Sequence, residues 1–482
     1  MDEASAPPPA ASRAGIASRV DLNLIVLLAF VLIVPFVIGS ADRIFADGDV
    51  SWHVAAGQWM IAHGRVPLTD PFSFSAAGQP WIAHEWLSEV LMGAAYNIAG
   101  FTGLSVMVIA SLSALMLLLG LELMRWLRPI ETAAILIAVT VTLIPFLLAR
   151  PMVMAWPMLA FWTVQLMHAR EARRAPPLWL ALVMLLWVNM HASFALGLLL
   201  IGAFGLEALI DEPDKKRVIR SWGIFGLLCT AVCLLNPNTL TGFLAPLAAF
   251  TSSTINLVQE FRPTDMSFTP GFEYSLLLVL AICLGRGAKI PPVRLLLLLG
   301  LLHLALQHMR HQALFIIVTA LLIARPVAQT EAESRSEAKG TSQVPLLRFV
   351  AVGFVLLLGI RLAQPLTPPD SNINPVSALA SVPAELRDQP VLNSYSFGGP
   401  LILRGIKVFI DGRTDLYGDP FVLRYKKMLD GDAAEVARAQ KRWNIRWALI
   451  STEDKGLLAI LDHSPDWRRI RADRYAVTFV HR

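Results

Sequence analysis

Apolar runs of roughly 17 to 24 residues recur along the chain up to about residue 365, each long enough to cross about 30 Å of hydrocarbon as a helix. None alternates with the two-residue period of a membrane barrel strand. Only a bilayer or a strongly polar exterior could keep so much apolar surface from water, and composition decides between them. Of 482 residues, 55% are hydrophobic and only 16% charged, with a mean hydropathy of +0.57. An ordinary soluble domain carries roughly a quarter charged residues. A soluble enzyme is excluded, and the expected fold is a polytopic α-helical membrane protein.

The first run, Leu22–Ile38, follows a short leader containing Arg13 and Arg19. Gly39-Ser40-Ala41 resembles a signal-peptidase site, but the run exceeds a signal-peptide core, so it reads as an uncleaved anchor with its N-terminus inside. Further spans are predicted at about 101–124, 130–148, 151–169, 178–190, 192–210, 219–235, 272–285, 292–307, 311–325 and 346–363, about eleven in all. Alternate loops then separate by charge. The inside set holds Arg125 and Arg128, Arg170 to Arg174, Lys215 to Arg220, Arg286 to Arg294, and Arg325 to Arg348. The outside set is an acidic loop at 41–85, turns at Arg150, Asn189–Ser193 and Gln307–His311, and a loop over 236–270. Excess Lys and Arg on one side is the signature of cytoplasmic loops.

This partition gives a cytoplasmic segment 1–20, a membrane domain 21–365 and, after an odd number of spans, an extracytoplasmic domain 366–482. The last of these has 31 charged residues in 117, a soluble density. Val408–Ile410 and Trp447–Ile450 read as strands there, Ala433–Trp443 as a helix and Tyr475–Val480 as a final strand, a small α/β domain. Glu331–Ser342 reads as a flexible cytoplasmic linker. The formal charge of +5 lies mainly in short loops, where it sets topology and implies no nucleic-acid partner. Cys229, Cys233 and Cys283 all sit in apolar runs and read as packing residues.

Ionisable groups near a bilayer midplane mark transport pathways. Here Glu122 and Glu207 fall near inner ends, whereas Arg150, Asn189, His191, Gln307, His308, Arg310 and His311 fall at outer ends. Any one could be a cap or a snorkelling group. Together they place a site at the outer boundary.

The first outer loop is the densest candidate. Asp47-Gly48-Asp49 precedes Trp52-His53, and Asp49 can cap a helix that stops at His63-Gly64. With Trp52, Ala56 and Trp59 on one face, that helix is expected to lie along the interface. Asp47 and Asp49 beside His53 can hold a divalent cation such as Mg or Mn, or one can take a proton from a hydroxyl while the other orients it. His84-Glu85 forms a second cluster at the start of another helix, where Glu85 can also serve the dipole.

These motifs resemble bacterial membrane glycosyltransferases of the GT-C superfamily. The resemblance rests on Asp47-x-Asp49-x-x-Trp52-His53, the helix ending His63-Gly64, Pro67-x-x-Asp70-Pro71-Phe72-Ser73-Phe74, and His84-Glu85-Trp86. Asn393 to Pro400 and Phe409 to Asp419 are similar to the terminal region of uncharacterised members. The resemblance implies a polyprenyl-phosphate sugar donor, a glycan, lipid or protein acceptor, and an acidic base or metal ligand in the first loop, either Asp49 or Asp47. It also implies a bacterial inner-membrane, cell-envelope location.

Such a reaction needs a base, compensation for the leaving phosphate, and an apolar groove for the prenyl chain. Asp49 is the expected base, and Arg150, Arg310, His311 and Arg262 the expected phosphate ligands, since guanidinium offers paired donors. One base and direct displacement would invert the anomeric centre. His53 and His191 are candidate substrate ligands, with Asp411, Arg413 and Asp415 as an acceptor edge or a solvated turn. The alternatives are a lipid-linked glycan ligase or polymerase, a transporter or flippase, and a non-catalytic assembly protein.

Overall fold

The computed structural model describes residues 22–249, 262–328 and 344–482. The N-terminal segment 1–20, the linker Glu331–Ser342 and part of the 236–270 loop therefore lie outside the described residues. Among the described residues five helices are long and apolar enough to cross a membrane: α1 (Leu22–Gly39), α3 (Trp86–Leu123), α4 (Pro129–Phe146), α7 (Phe194–Asp211) and α12 (Met309–Ala328). Between them stand α2 (Asp49–His63), α5 (Pro151–Glu171), the shorter apolar α6 (Leu178–Met190), α8 (Lys215–Val232), α9 (Thr239–Ala249), and the shorter apolar α10 (Pro270–Gly285) and α11 (Pro292–Gln307). Helix α13 (Val344–Leu362) follows. Of the five, α12 is the most enclosed.

Helix α3 is two helices in one. Ala99 and Gly100 leave helical geometry, Gly100 with φ +58°, so a first half bearing polar groups meets an apolar half that starts where the sequence predicts a span. The acidic residues at the opposite helix ends are partnered. Glu207 accepts from Arg294 Nε at 2.7 Å and Arg170 Nε at 3.3 Å, and Glu122 accepts twice from Arg125 at 2.9 Å. Cys229 and Cys233 are buried and no cysteine forms a disulfide.

The C-terminal part carries a four-stranded sheet in the order β1 (Val391–Asn393), β2 (Trp447–Ser451), β4 (Ala476–His481), β3 (Trp467–Ala472). The β1 and β2 strands run parallel; the other pairs are antiparallel. Helices α14 (Gly398–Leu403), α15 (Asp419–Leu429), α16 (Ala433–Trp443) and α17 (Lys455–His463) complete it. The helix read at Ala433–Trp443 is there, capped by Asp432, which accepts from Ala434 and Glu435 N–H. The expected strand Val408–Ile410 is not. That segment bridges only Ser73, because its backbone partners lie in the first loop: Phe74 N–H donates to Val408 O, and Val408 N–H to Phe72 O, both at 3.2 Å.

Strand alternation explains why the domain sits on that loop. On β2, Ala448 and Ile450 face the domain's own helices, while Trp447 and Leu449 face a second core shared with Trp52, Ala56, Met60 and Trp81. On that sheet face Ala378, Leu379, Phe397 and Leu401 of the tail and residues from before position 85 thus form one core. Trp52, Val54 and Ala56 are buried accordingly, and α2 is enclosed between α3 and the C-terminal part. Gly57 lets it approach α3, since a Cβ there would lie 1.8 Å from the Glu89 carbonyl.

A buried ion triad fastens the two parts. The Arg413 guanidinium donates to Asp70 at 2.7 Å and to Asp411 at 2.8 and 2.7 Å, with all three side chains almost wholly buried. Trp81, Phe72 and Trp52 surround its charge at 4.7, 5.2 and 5.9 Å. Burial pushes the Asp411 carboxyl up, but the Arg413 charge and hydrogen bonds outweigh it, so it sits below the ordinary value of 3.8.

Two outcomes follow. Arg413→Met leaves two buried carboxylates uncompensated and is expected to cost about 3–5 kcal/mol, read as a lower unfolding midpoint in detergent with faster proteolysis of residues 66–84. A lowered folded-state value means Asp411 contributes stability above the unfolded-chain value and loses it as pH falls through the folded-state one. The gap in unfolding midpoint between the wild type and Asp411→Asn should therefore hold constant from neutrality down toward 3.8 and close only below it.

Candidate active site

Asp47 and Asp49 stand at the N-terminus of α2, which begins at Asp49 rather than being capped by it. Asp47 Oδ1 instead accepts the Asp49 N–H at 2.8 Å, and Asp49 Oδ1 accepts from Trp52 Nε1 at 3.0 Å. Arg150 reaches both carboxylates, Asp47 Oδ2 at 2.9 Å and Asp49 Oδ2 at 3.3 Å. Its backbone is extended because Pro151 opens α5, and the preceding Ala149 N–H donates to Ile44 O at 2.8 Å, which ties the two loops together. Each of these side chains retains about a fifth of its exposure, so the cluster meets solvent on one side.

The tail domain supplies another wall. A Cβ on Gly412 would lie 1.7 Å from Asp49 Oδ1, one on Gly399 1.9 Å from the Gly48 carbonyl, and one on Gly48 2.3 Å from the Ser396 carbonyl. Tyr395 completes it, its hydroxyl donating to Gly412 O at 3.3 Å. Burial, then Asp49, Asp411 and Asp47, push the phenol well above its usual range, so it stays neutral beside the carboxylates.

Glu85 anchors the second cluster, just before α3. Three imidazoles turn toward it: His191 Nε2 at 3.5 Å, His84 Nε2 at 3.7 Å and His53 Nε2 at 3.9 Å. His53 Nδ1 also meets buried Glu89 at 3.1 Å, whose second oxygen has no hydrogen-bond partner among the described residues. The Ser193 N–H donates to His191 Nδ1 at 3.1 Å, which puts the neutral ring's proton on Nε2, facing Glu85. Burial holds His53 and His191 well below the ordinary histidine range. Arg150 lowers both further, so its charge spans the two clusters, and Arg310 acts on His191 from the single 3-10 turn, Met309–His311, that opens α12.

The structure thus gathers Asp47, Asp49 and Arg150, and next to them His53, His84, Glu85 and His191. Arg262 lies beside the Arg310 turn, its carbonyl accepting from Met309 N–H at 3.1 Å, and His311 follows in that turn. Asp411 and Arg413 are buried at the junction behind the site, and Asp415 is exposed. Glu89, Tyr395 and Gly412 were not singled out from sequence. Glu89 had a signal, its four-residue spacing from Glu85 on a helix; Tyr395 had none that separates it from a core aromatic. Among the described residues no three His, Cys, Asp or Glu side chains form a metal-ligating group, and the aspartate pair faces a guanidinium.

The fold is similar to that of the crystal structure of the Archaeoglobus fulgidus oligosaccharyltransferase in the apo form, with a TM-score of 0.59 and 9% identity over 90% of this chain and 69% of that one. The archaeal oligosaccharyltransferase AglB from Archaeoglobus fulgidus, in complex with an inhibitory peptide and a dolichol-phosphate, aligns at a TM-score of 0.46 and 10% identity over 90% and 70% of the two chains. At such identities the likeness is one of fold alone. No protein-family profile matches the sequence, and no curated protein does.

Gly412→Ala is expected to cost about 1–3 kcal/mol by overpacking. In an Asp49→Ala background, which removes the atom met first, part of that cost should vanish. A double-mutant cycle on unfolding midpoints measures the coupling, and strict additivity would deny the contact.

Proposed function

We propose that the chain transfers a sugar from a polyprenyl-phosphate donor to an acceptor hydroxyl at the outer face of a bacterial cytoplasmic membrane. The observation that carries this reading is the pair of adjoining polar clusters, Asp47–Asp49–Arg150 and Glu85–His53–His84–His191, set at one end of long apolar helices and roofed by the tail domain. Paired carboxylates at a membrane boundary suit general-base chemistry on an acceptor, and the helices offer a prenyl chain a greasy path.

In this reading Asp49 takes the acceptor proton. Its Oδ1 accepts from Trp52 Nε1–H, and its Oδ2 lies 3.3 Å from Arg150 Nη2. The acceptor oxygen attacks the sugar carbon, the bond from that carbon to phosphate oxygen breaks, and prenyl phosphate leaves with the electron pair. The anomeric centre inverts. Arg150 and Arg310 bear on the side where that charge develops, with Arg262 and His311 beside Arg310. Glu85, ringed by three imidazoles, positions the acceptor or serves as its base if Asp49 does not. Asp411 and Arg413 hold the wall in place rather than touch substrate, and no step is routed through a metal ion. If the transferred unit is a preassembled oligosaccharide, the same geometry makes the chain a ligase.

The test is turnover of a polyprenyl-phosphate sugar by purified protein, followed as released lipid phosphate. Asp49→Asn should lose about 10²–10⁴-fold in kcat, Asp47→Asn less, and Arg150→Ala should raise KM as well. Full turnover in both asparagine variants would sink the base assignment.

A further inference from the structure

Away from the clusters above, the tail domain has a cavity of about 240 Å³ between α15 and α16. Its floor is aromatic. Phe409 and Phe421 meet the Trp443 ring at 5.2 and 5.8 Å, at 86° and 78°, so the three are locked edge to face with Tyr425 beneath them. Its rim is cationic. Arg438 and Arg442 project from one face of α16, four residues apart, and Arg424 from the facing α15.

Charge at this rim is not balanced. Glu435 is the one carboxylate lining the cavity, and Arg438 Nη2 takes it at 2.7 Å. Arg442 lies over the Trp443 ring, 4.7 Å from its centroid, and Arg424 Nε donates to the Pro420 carbonyl. Neither of those last two contacts neutralises a guanidinium. Three arginines against one carboxylate over a ring floor match a ligand with a flat C–H face and carboxylates on its edge. Aromatic rings and arginines dominate the cavity's lining, with Met428 and Ala439 as the aliphatic members.

We infer that this cavity binds an acidic sugar unit of a glycan, a hexuronate in chemical class, with the ring packed on Phe421 and Trp443 and its carboxylate between Arg424 and Arg442. Calling that glycan the acceptor rests on the transferase reading; the binding itself does not. The cavity is also mechanically joined to the catalytic side. Tyr417 stacks on Phe421 at 5.1 Å and donates its hydroxyl to Asp411 Oδ2 at 2.7 Å, and Asp411 in turn holds Arg413.

The experiment is titration of the full chain in nanodiscs with a galacturonic acid tetrasaccharide, followed by calorimetry, with a neutral glucose tetrasaccharide and glycerophosphoglycerol as comparators. No donor is present, so the result is independent of whether Asp49 is a base. The expected result is saturable, salt-sensitive binding of the uronate alone, weakened about tenfold or more in Arg424→Gln/Arg442→Gln. Both side chains are exposed, so the variant should keep the wild-type unfolding midpoint. Absence of uronate binding, equal binding of either comparator, or full affinity in the double variant would overturn the assignment.

Discussion

The Arg413 guanidinium is the point on which the two halves of the chain agree. It sits between Asp70 of the first loop and Asp411 of the tail, 343 positions apart in the first case, with three aromatic rings closing it from water. A single charge in that place could not be tolerated, and neither could two carboxylates without it. Once the triad forms, the loop and the tail have one relative position. Everything at the site inherits that position: the tail glycines lie against Asp49 and Gly48, and Tyr395 sits beside the acidic pair.

The arrangement divides labour among the charged residues in a way their sequence spacing does not reveal. Residues that look alike in the string, Asp47, Asp49, Asp70 and Asp411, end in different environments. The first two keep a solvent-facing side and share one guanidinium, while the last two are sealed. Solvent access, rather than charge, separates the groups fit for chemistry from those fit for fastening. The imidazoles follow the same logic: burial keeps His53 and His191 neutral, so they can orient Glu85 without adding charge beside Arg150.

Much of this was legible where it depended on local pattern. The apolar runs, the helix Ala433–Trp443 with its Asp432 cap, the stop at Gly64 and the two acidic clusters all follow from residues within a turn or two of one another. What escaped was long-range. Val408–Ile410 has a strand's composition, but its hydrogen-bond partners are Phe72 and Phe74. The Trp467–Ala472 strand was missed because its arginines point outward on an edge strand, leaving no apolar alternation to read. An apparently self-contained tail domain shares the core on one sheet face with residues before position 85, and charge density cannot announce that.

The glycine contacts have a consequence for the order of events in the chain's life. Gly48 and Asp49 are made early, and the backbone that closes over them, from Ser396 to Gly412, is made some three hundred and fifty residues later. Until that stretch has crossed to the same side and seated Arg413, the acidic pair has an open flank and the Trp52, Trp81 surface is bare. A chain truncated before the tail would therefore be a set of helices with half a pocket. The site is whole only once the tail has seated on the first loop.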